Sequence, residues 1–441
     1  MAAVKSQPTR ILVVGGGYVG MYTALKLQAK LRASEASVTV VDPQPHMTYQ
    51  PFLPEAAAGS IEPRHVVVPL RRVLKRCHVL TGRVTEINHA DKRATVASPT
   101  GDLESVAYDV LVVALGSVAR TLPIPGLAER GISFKTVGEA IYLRNHVLSR
   151  MDLASTTDDP ELRKKLLTFV VIGGGYAGIE ALAELEDMAR YATRYYRNVK
   201  PEDMNWVLVE AAGRVMPEVS PKMGVYTVET LEERGIKCFL DTRVESMVDG
   251  HVVLSDGTEF DAETIVWTAG VKANPVLEQT DLPRDARGRV RCTASLQVEG
   301  MPDAWAAGDN AAVPDLSQTE QDPNATCSPS AQHAVRQAMR LSANILASLR
   351  GKPLKPYRHK YAGSVASLGL YKGVADVMGI KLKGFPAWFL HRTYHVSRMP
   401  TFNRKFRVVI DWTLALVFRR EVVSLGQIND PKAEFARATA S

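Results

Sequence analysis

Two stretches decide the fold: ILVVGGGYVGMYTAL, running Ile11–Leu25, and FVVIGGGYAGIEAL, running Phe169–Leu182. They write nearly the same sentence twice. Each opens with a short apolar run suited to a buried parallel strand. Each then sets three glycines at G-x-G-x-x-G spacing, Gly15, Gly17 and Gly20 in the first and Gly173, Gly175 and Gly178 in the second. The first glycine of such a set permits a tight turn, the second lets backbone approach a pyrophosphate, and the third allows close helix–strand packing. The following helix presents its unpaired N–H groups to phosphate. In the first copy that helix is expected from about Tyr18 to Leu31; in the second it runs through IEALAELEDMARYATRYY.

Each copy continues into a strand that ends on an acid: SVTVVD at Asp42 and WVLVE at Glu210. A carboxylate there accepts hydrogen bonds from a ribose diol. Glu210 favours an unphosphorylated ribose, hence NAD(H) over NADP(H), although Arg214 lies close by. A lone glycine motif is weak, because a glycine turn can precede any helix. Two complete strand–loop–helix–acid units make coincidence a poor account. They predict an α/β chain with two Rossmann-like dinucleotide-binding domains. FAD and NADH are the expected pair, since a nicotinamide hydride needs an acceptor. Three further strand ends offer small-residue turns: YDVLVVALGS at Gly116, TIVWTAG at Gly270, and AWAAGD at Gly308 and Asp309. Asp309 suits the ribityl chain of FAD or, alternatively, a helix N-cap.

With 441 residues the chain divides into two or three domains. Hydrophobic content of 46% and charged content of 23% are those of a globular protein. Cys77, Cys238, Cys292 and Cys327 form no C-x-x-C pair, so neither a metal site nor a local redox disulfide is expected. So few cysteines fit a reducing compartment. The start, MAAVKSQPTR, lacks the apolar core of a signal peptide. No apolar run approaches the ~20 residues of a membrane-spanning helix.

The net charge is +7, yet residues 372–420 alone hold ten Lys/Arg and two Asp. A basic segment of this kind faces nucleic acid, anionic lipid or plain solvent. GFPAWFLHRTYHV and FRVVIDWTLALVFRR set aromatic and aliphatic residues among the basic ones. That suits an interfacial helix on anionic lipid. A partner subunit, the protein's own core, or a docking helix with a solvated basic face are the alternatives. No nucleic-acid fold signature is present, so nucleic acid is not an expected partner.

On these motifs, together with YQPFLPEAAAG (49–59), AAGD (306–309) and SAQHAVRQA (330–338), the chain resembles the two-dinucleotide-binding-domain flavoproteins. Within them it resembles the type II NADH dehydrogenases, the non-proton-pumping NADH:quinone oxidoreductases. The likeness covers nearly the whole chain. It implies FAD contacts at Gly15, Gly17, Gly20, Asp42 and Asp309, and NADH contacts at Gly173, Gly175, Gly178 and Glu210. It implies a nicotinamide-side acid at Glu180, and a flavin- and quinone-side segment at Ala331, Gln332 and Ala334. Arg336 stands where the family's second Gln is common, with Gln337 one place later. The resemblance also implies a quinone partner (menaquinone or ubiquinone), a homodimer, and a peripheral place on the cytoplasmic side of the cell membrane.

Read physically, SPSAQHAVRQAMRLSANILASL is a helix that Ser328 can cap, with Pro329 at its first position. Gln332 in its first turn would donate to a quinone carbonyl; otherwise it is an exposed polar residue. Glu180 either works near the nicotinamide or simply complements its helix dipole. The expected organisation is an FAD-binding domain over 1–120 that resumes over 295–366, an NADH-binding domain over 121–294, and a membrane-association or dimer segment over 367–441. The rivals are a sister flavoenzyme of the ferredoxin reductase or sulfide:quinone reductase type, and an FAD/NADH-binding redox sensor with little turnover.

Overall fold

The computed structural model describes residues 7–318, 320–359, 363–418 and 420–425. The chain forms two compact units, and both are discontinuous. The first comprises Met1–Thr48, Val67–Val118 and Val271–Tyr361; the second comprises Tyr49–Val66, Ala119–Gly270 and Ala362–Ser441. Three boundaries differ from expectation. The first unit resumes at Val271 rather than 295. The stretch Tyr49–Val66 leaves it for the second unit. The tail is not a separate segment, because its helices pack within the second unit.

The first unit is built on a six-stranded sheet in the order Gln297–Val298, Met301–Ala306, Val110–Val113, Thr9–Val14, Ala36–Asp42, His78–Thr81. All its pairings are parallel except the hairpin at its edge. Ile11, Leu12, Val13 and Val14 are buried on both faces, as a central parallel strand requires. The helices Tyr18–Lys30 and Ala331–Leu349 pack against each other. The second unit carries a five-stranded parallel sheet in the order Gly131–Ser133, Thr264–Trp267, Thr168–Ile172, Asn205–Val209, Lys237–Phe239. Its glycine loop feeds the helix Tyr176–Ala192. Both units therefore place their glycine loop at the carboxyl end of a central strand, where open α/β sheets bind ligands.

The last part of the second unit is a three-stranded antiparallel sheet, Ser364–Ser367, Gly373–Val377 and Ile380–Lys383. Two helices follow, Phe385–Arg398 and Phe402–Phe418. The latter does not enter the core: of its residues only Val408 is buried.

Candidate functional site

The two loops share one geometry. Gly15 and Gly173 have φ of +105° and +111°, a region L side chains rarely adopt. A Cβ on Gly15 would lie 2.2 Å from the Ala114 carbonyl oxygen, and one on Gly173 would lie 2.8 Å from the Ala269 nitrogen. The third glycine is fixed by its own loop. A Cβ on Gly20 would meet the Gly15 oxygen at 1.7 Å, and one on Gly178 the Gly173 oxygen at 1.9 Å. The middle glycines are different: a Cβ on Gly17 or Gly175 would find nothing within 4 Å. Internal packing does not explain glycine there; the open space leaves bare backbone of the kind that can lie against a pyrophosphate.

The acids close each loop in the same way. Asp42 Oδ2 accepts from the Gly16 N–H and Oδ1 from the Gln44 N–H, both at 2.7 Å. Glu210 Oε2 accepts from the Gly174 N–H, and Oε1 from the Ala212 N–H at 2.8 Å. Each carboxylate is thereby aimed, and each oxygen keeps lone-pair capacity for a ribose hydroxyl. Burial raises the Asp42 carboxyl, with the Gly16 and Gln44 N–H groups opposing that shift. A cavity of about 110 Å³ opens beside it, lined by Gly15, Val41, Pro43, Arg83 and Leu115 among others.

In the first unit the other expected residues converge on the same strand ends. Asp309 Oδ2 accepts from Ser117 Oγ at 2.7 Å, and Asp309 lies inside the short turn Gly308–Asn310, whose N-cap position is Ala307, rather than capping it. Asn310, fully buried, accepts from the Gly116 N–H at 2.8 Å and donates to the Val113 carbonyl at 3.2 Å. Gly308 lies against Val19 and Ala334, and its N–H donates to Gln337 Oε1 at 2.7 Å. Gln337, the polar residue one place past Arg336, is thus a buried brace for the Gly308–Asp309 turn. Asn310 and Gln337 are buried braces of these turns that pattern reading did not assign. Arg336 Nη1 lies 3.3 Å from His359 Nδ1.

The helix Ala331–Leu349 is capped by Ser330, whose side chain accepts from the His333 N–H at 3.1 Å. The cap therefore falls on the second serine of SPS, not on Ser328. The extended Ser330 backbone leaves Ala331 exposed and Gln332 half-buried in the first turn. His333 Nδ1 is 3.0 Å from the Tyr357 hydroxyl, and burial pushes its imidazole down to about 4.

In the second unit Gly270 has φ +87°, and a Cβ there would find nothing within 4 Å, so the turn is open on its far side. Thr268 Oγ1 donates to the Ile172 carbonyl at 2.9 Å and holds the turn to the loop. Arg214 is engaged elsewhere, donating to the Val219 carbonyl at 2.5 Å. Glu180 is buried on the glycine helix, where its Oε1 accepts from the Ser367 N–H at 2.9 Å and lies 3.0 Å from His391 Nε2. One turn on, Glu184 Oε1 accepts from Ser367 Oγ at 3.1 Å. Glu55, from the PFLPEAAAG stretch, accepts from Arg392 Nη2 at 2.8 Å and from Trp412 Nε1 at 2.7 Å. The Arg392 guanidinium lies 4.1 Å from the Trp388 ring centre and 4.7 Å from that of Trp412, within cation–π range of both. Glu55 lies within the YQPFLPEAAAG stretch, but sequence reading assigns no role to it, to Glu184 or to His391; only the fold brings the three together.

All four cysteines are free. Burial pushes the Cys77 thiol up to about 11 and those of Cys238 and Cys327 up to about 12, and raises Cys292 as well. Burial thus disfavours the thiolate, the form that thiol redox chemistry needs, at each of them.

Two glycine cradles, each closed by an aimed carboxylate, define a two-dinucleotide oxidoreductase. Residues 9–338 match the family described as pyridine nucleotide-disulphide oxidoreductase. The chain belongs to that family and, within it, to the type II NADH:quinone oxidoreductases. It is 31% identical over 388 residues to the type II NADH:quinone oxidoreductase of Staphylococcus epidermidis, covering 87% of this chain and 93% of the relative. It is 28% identical over 426 residues to the type II NADH:quinone oxidoreductase Ndh of Mycobacterium tuberculosis, covering 93% and 89%. Its fold is similar to that of NDH2 from Plasmodium falciparum, solved in complex with NADH, with a TM-score of 0.87 at 18% identity over 95% of this chain and 100% of that one.

Proposed function

We propose that this chain is an NADH:quinone oxidoreductase that holds FAD in its first unit and NADH in its second. The observation that carries the reading is the duplicated cradle: a middle glycine with free space beside it, and a carboxylate fixed by two backbone N–H groups. In the first unit Gly15, Gly17 and Gly20 shape the pyrophosphate site, and Asp42 takes the ribose diol. Gly116, Gly308 and Asp309 line the strand ends toward the rest of FAD. In the second unit Gly173, Gly175, Gly178, Gly270 and Glu210 do the same for NADH. Glu210 meets an unphosphorylated ribose, and Arg214, tied to a backbone carbonyl, is not extended to take a 2′-phosphate. When bound, FAD would supply the redox chemistry, two-electron exchange between NADH and the quinone.

The chain's own groups do the rest. Ala331 and Ala334 keep the first turns of their helix small, and its N-terminal dipole favours negative charge nearby. Gln332 offers an amide donor to a quinone carbonyl. Glu180 holds or moves a proton on the nicotinamide side. No thiol takes part. The exposed apolar face of Phe402–Phe418, with basic residues around it, docks on an anionic membrane surface. Dimerisation through the same face is the competing use.

Steady-state oxidation of NADH with short-chain quinones tests the reading. Turnover that depends on both is expected. NADH oxidation that no quinone supports would favour the redox-sensor alternative. Gln332→Ala should slow flavin reoxidation by quinone roughly 10–100-fold, as loss of one positioned hydrogen bond does, with reduction by NADH nearly intact. Equal loss in both half-reactions would remove Gln332 from the quinone site.

A further inference from the structure

The reaction NADH + H⁺ + quinone → NAD⁺ + quinol needs one proton beyond the nicotinamide. The hydride carries both electrons and one proton equivalent; the second quinol proton comes from elsewhere. We propose that the buried Glu180–His391–Glu184 cluster of the second unit stores that proton, with His391 as the positioning partner of Glu180. The proposal rests on the activity given above.

Three observations carry it. First, His391 is 1% exposed and its Nε2 lies 3.0 Å from Glu180 Oε1, yet neither ring nitrogen makes a well-aligned hydrogen bond. A buried imidazole left so is costly. A small ring rotation would give Nε2 the Glu180 carboxylate.

Second, the charges do not balance without a mobile proton. Among the described residues, three buried carboxyls, Glu55, Glu180 and Glu184, face two guanidiniums. Arg392 is committed to Glu55 at 2.8 Å, and Arg420 Nη2 lies 3.5 Å from Glu184 Oε2. Glu180 is left beside the His391 imidazole, 3.0 Å away. An unpaired buried carboxylate is strongly disfavoured, so one proton stays in the cluster.

Third, that proton has two seats. Ser367 joins them, its N–H donating to Glu180 and its hydroxyl to Glu184. Burial raises the Glu184 carboxyl, with Arg420 opposing and Glu55 and Asp187 adding to the rise. The remaining neighbours do not compete for it. His395, with its ring 4.6 Å from that of His391, is held neutral by burial and by His391. Asp187 accepts from Arg234 Nη2 at 2.9 Å.

The test uses the holoenzyme with ¹⁵N-labelled histidine. The His391 resonance is assigned by its loss in His391→Asn. In the wild type near neutral pH it should read as imidazolium, and in Glu180→Gln it should move to the neutral form. A neutral signal that Glu180→Gln leaves unchanged would overturn the proposal. The pH profile is a second readout. His391→Asn should lower quinone turnover about tenfold more at alkaline than at acid pH, the signature of a lost acid, with the KM for NADH within about twofold. Equal loss at every pH would mean a structural role only. If Asn is not tolerated, Glu184→Gln keeps the test: it removes the second seat together with a nearby carboxylate, and should make His391 lose its proton at lower pH than in the wild type; an unchanged His391 signal would overturn the proposal. A wild type that cannot couple NADH to quinone would sink the activity reading whatever the histidine shows. Normal turnover with a neutral, unresponsive His391 would sink this proposal alone.

Discussion

Gly17 and Gly20 sit in one loop and should answer an added methyl group in opposite ways. Gly20→Ala places a Cβ 1.7 Å from a backbone oxygen, and backbone on both sides cannot yield. It should cost about 3 kcal/mol or more in thermal unfolding, in the range of severe overpacking. Gly17→Ala meets open space and should leave the melting point nearly unchanged while lowering FAD occupancy. The reverse ranking would remove the pyrophosphate from Gly17. Spacing made this legible in the sequence, because each glycine has a distinct steric job. What spacing could not show is which polar residues brace the turns. Asn310 and Gln337 act across long sequence separations, and no local pattern encodes their partners. His146 adds a pH effect. Burial pushes its imidazole down to about 4, with Arg150 in the same direction, while its Nε2 lies 3.2 Å from the Glu263 carbonyl. A lowered folded value means that its stabilisation is whole above about 6.5 and is lost as pH falls toward about 4. Up to about 3 kcal/mol rides on it. Replacing His146 with Gln should flatten the acid limb of the melting-point profile between those values; an unchanged limb would place the acid lability elsewhere.

At the scale of elements, the terminal helix Phe402–Phe418 is the clearest case of sequence ambiguity. Its apolar residues run almost all round, so periodicity gave no face. The structure supplies one: Asp411 and Trp412 turn inward, to His65 at 2.6 Å and to Glu55 at 2.7 Å. Phe402, Leu416 and Phe418 turn outward, with Phe402 at 81% exposure. Among the described residues no helix is long and apolar enough to cross a membrane. Removing residues 382–441 would also strip Arg392 from buried Glu55, at a cost of about 3–5 kcal/mol for the carboxylate left behind. The cleaner variant changes Phe402, Phe406, Leu416 and Phe418 together to serine. It should keep its fold and its cofactors and lose flotation with vesicles containing phosphatidylglycerol. Unchanged flotation, or a change in oligomeric state alone, would assign the face to a partner subunit.

At the scale of the molecule, the sequence made two dinucleotide folds legible because each is local: strand, loop, helix and acid fall within a few dozen residues. The boundaries were less legible. Tyr49–Val66 and the tail are far apart in sequence, yet Glu55, Arg392 and Trp412 join them inside the second unit. That joint depends on a buried ion pair, which hydropathy cannot foresee. The account as a whole asks one thing of the chain, that each cradle hold its own dinucleotide and that electrons pass from one to the other. Anaerobic rapid mixing of the purified holoenzyme with NADH, followed by its flavin absorbance, tests this most directly. The account predicts a yellow protein with one FAD per chain, bleached by NADH faster than by NADPH and recoloured when quinone is added. A colourless chain that FAD cannot reconstitute, or a bound flavin that NADH leaves oxidised, would contradict it.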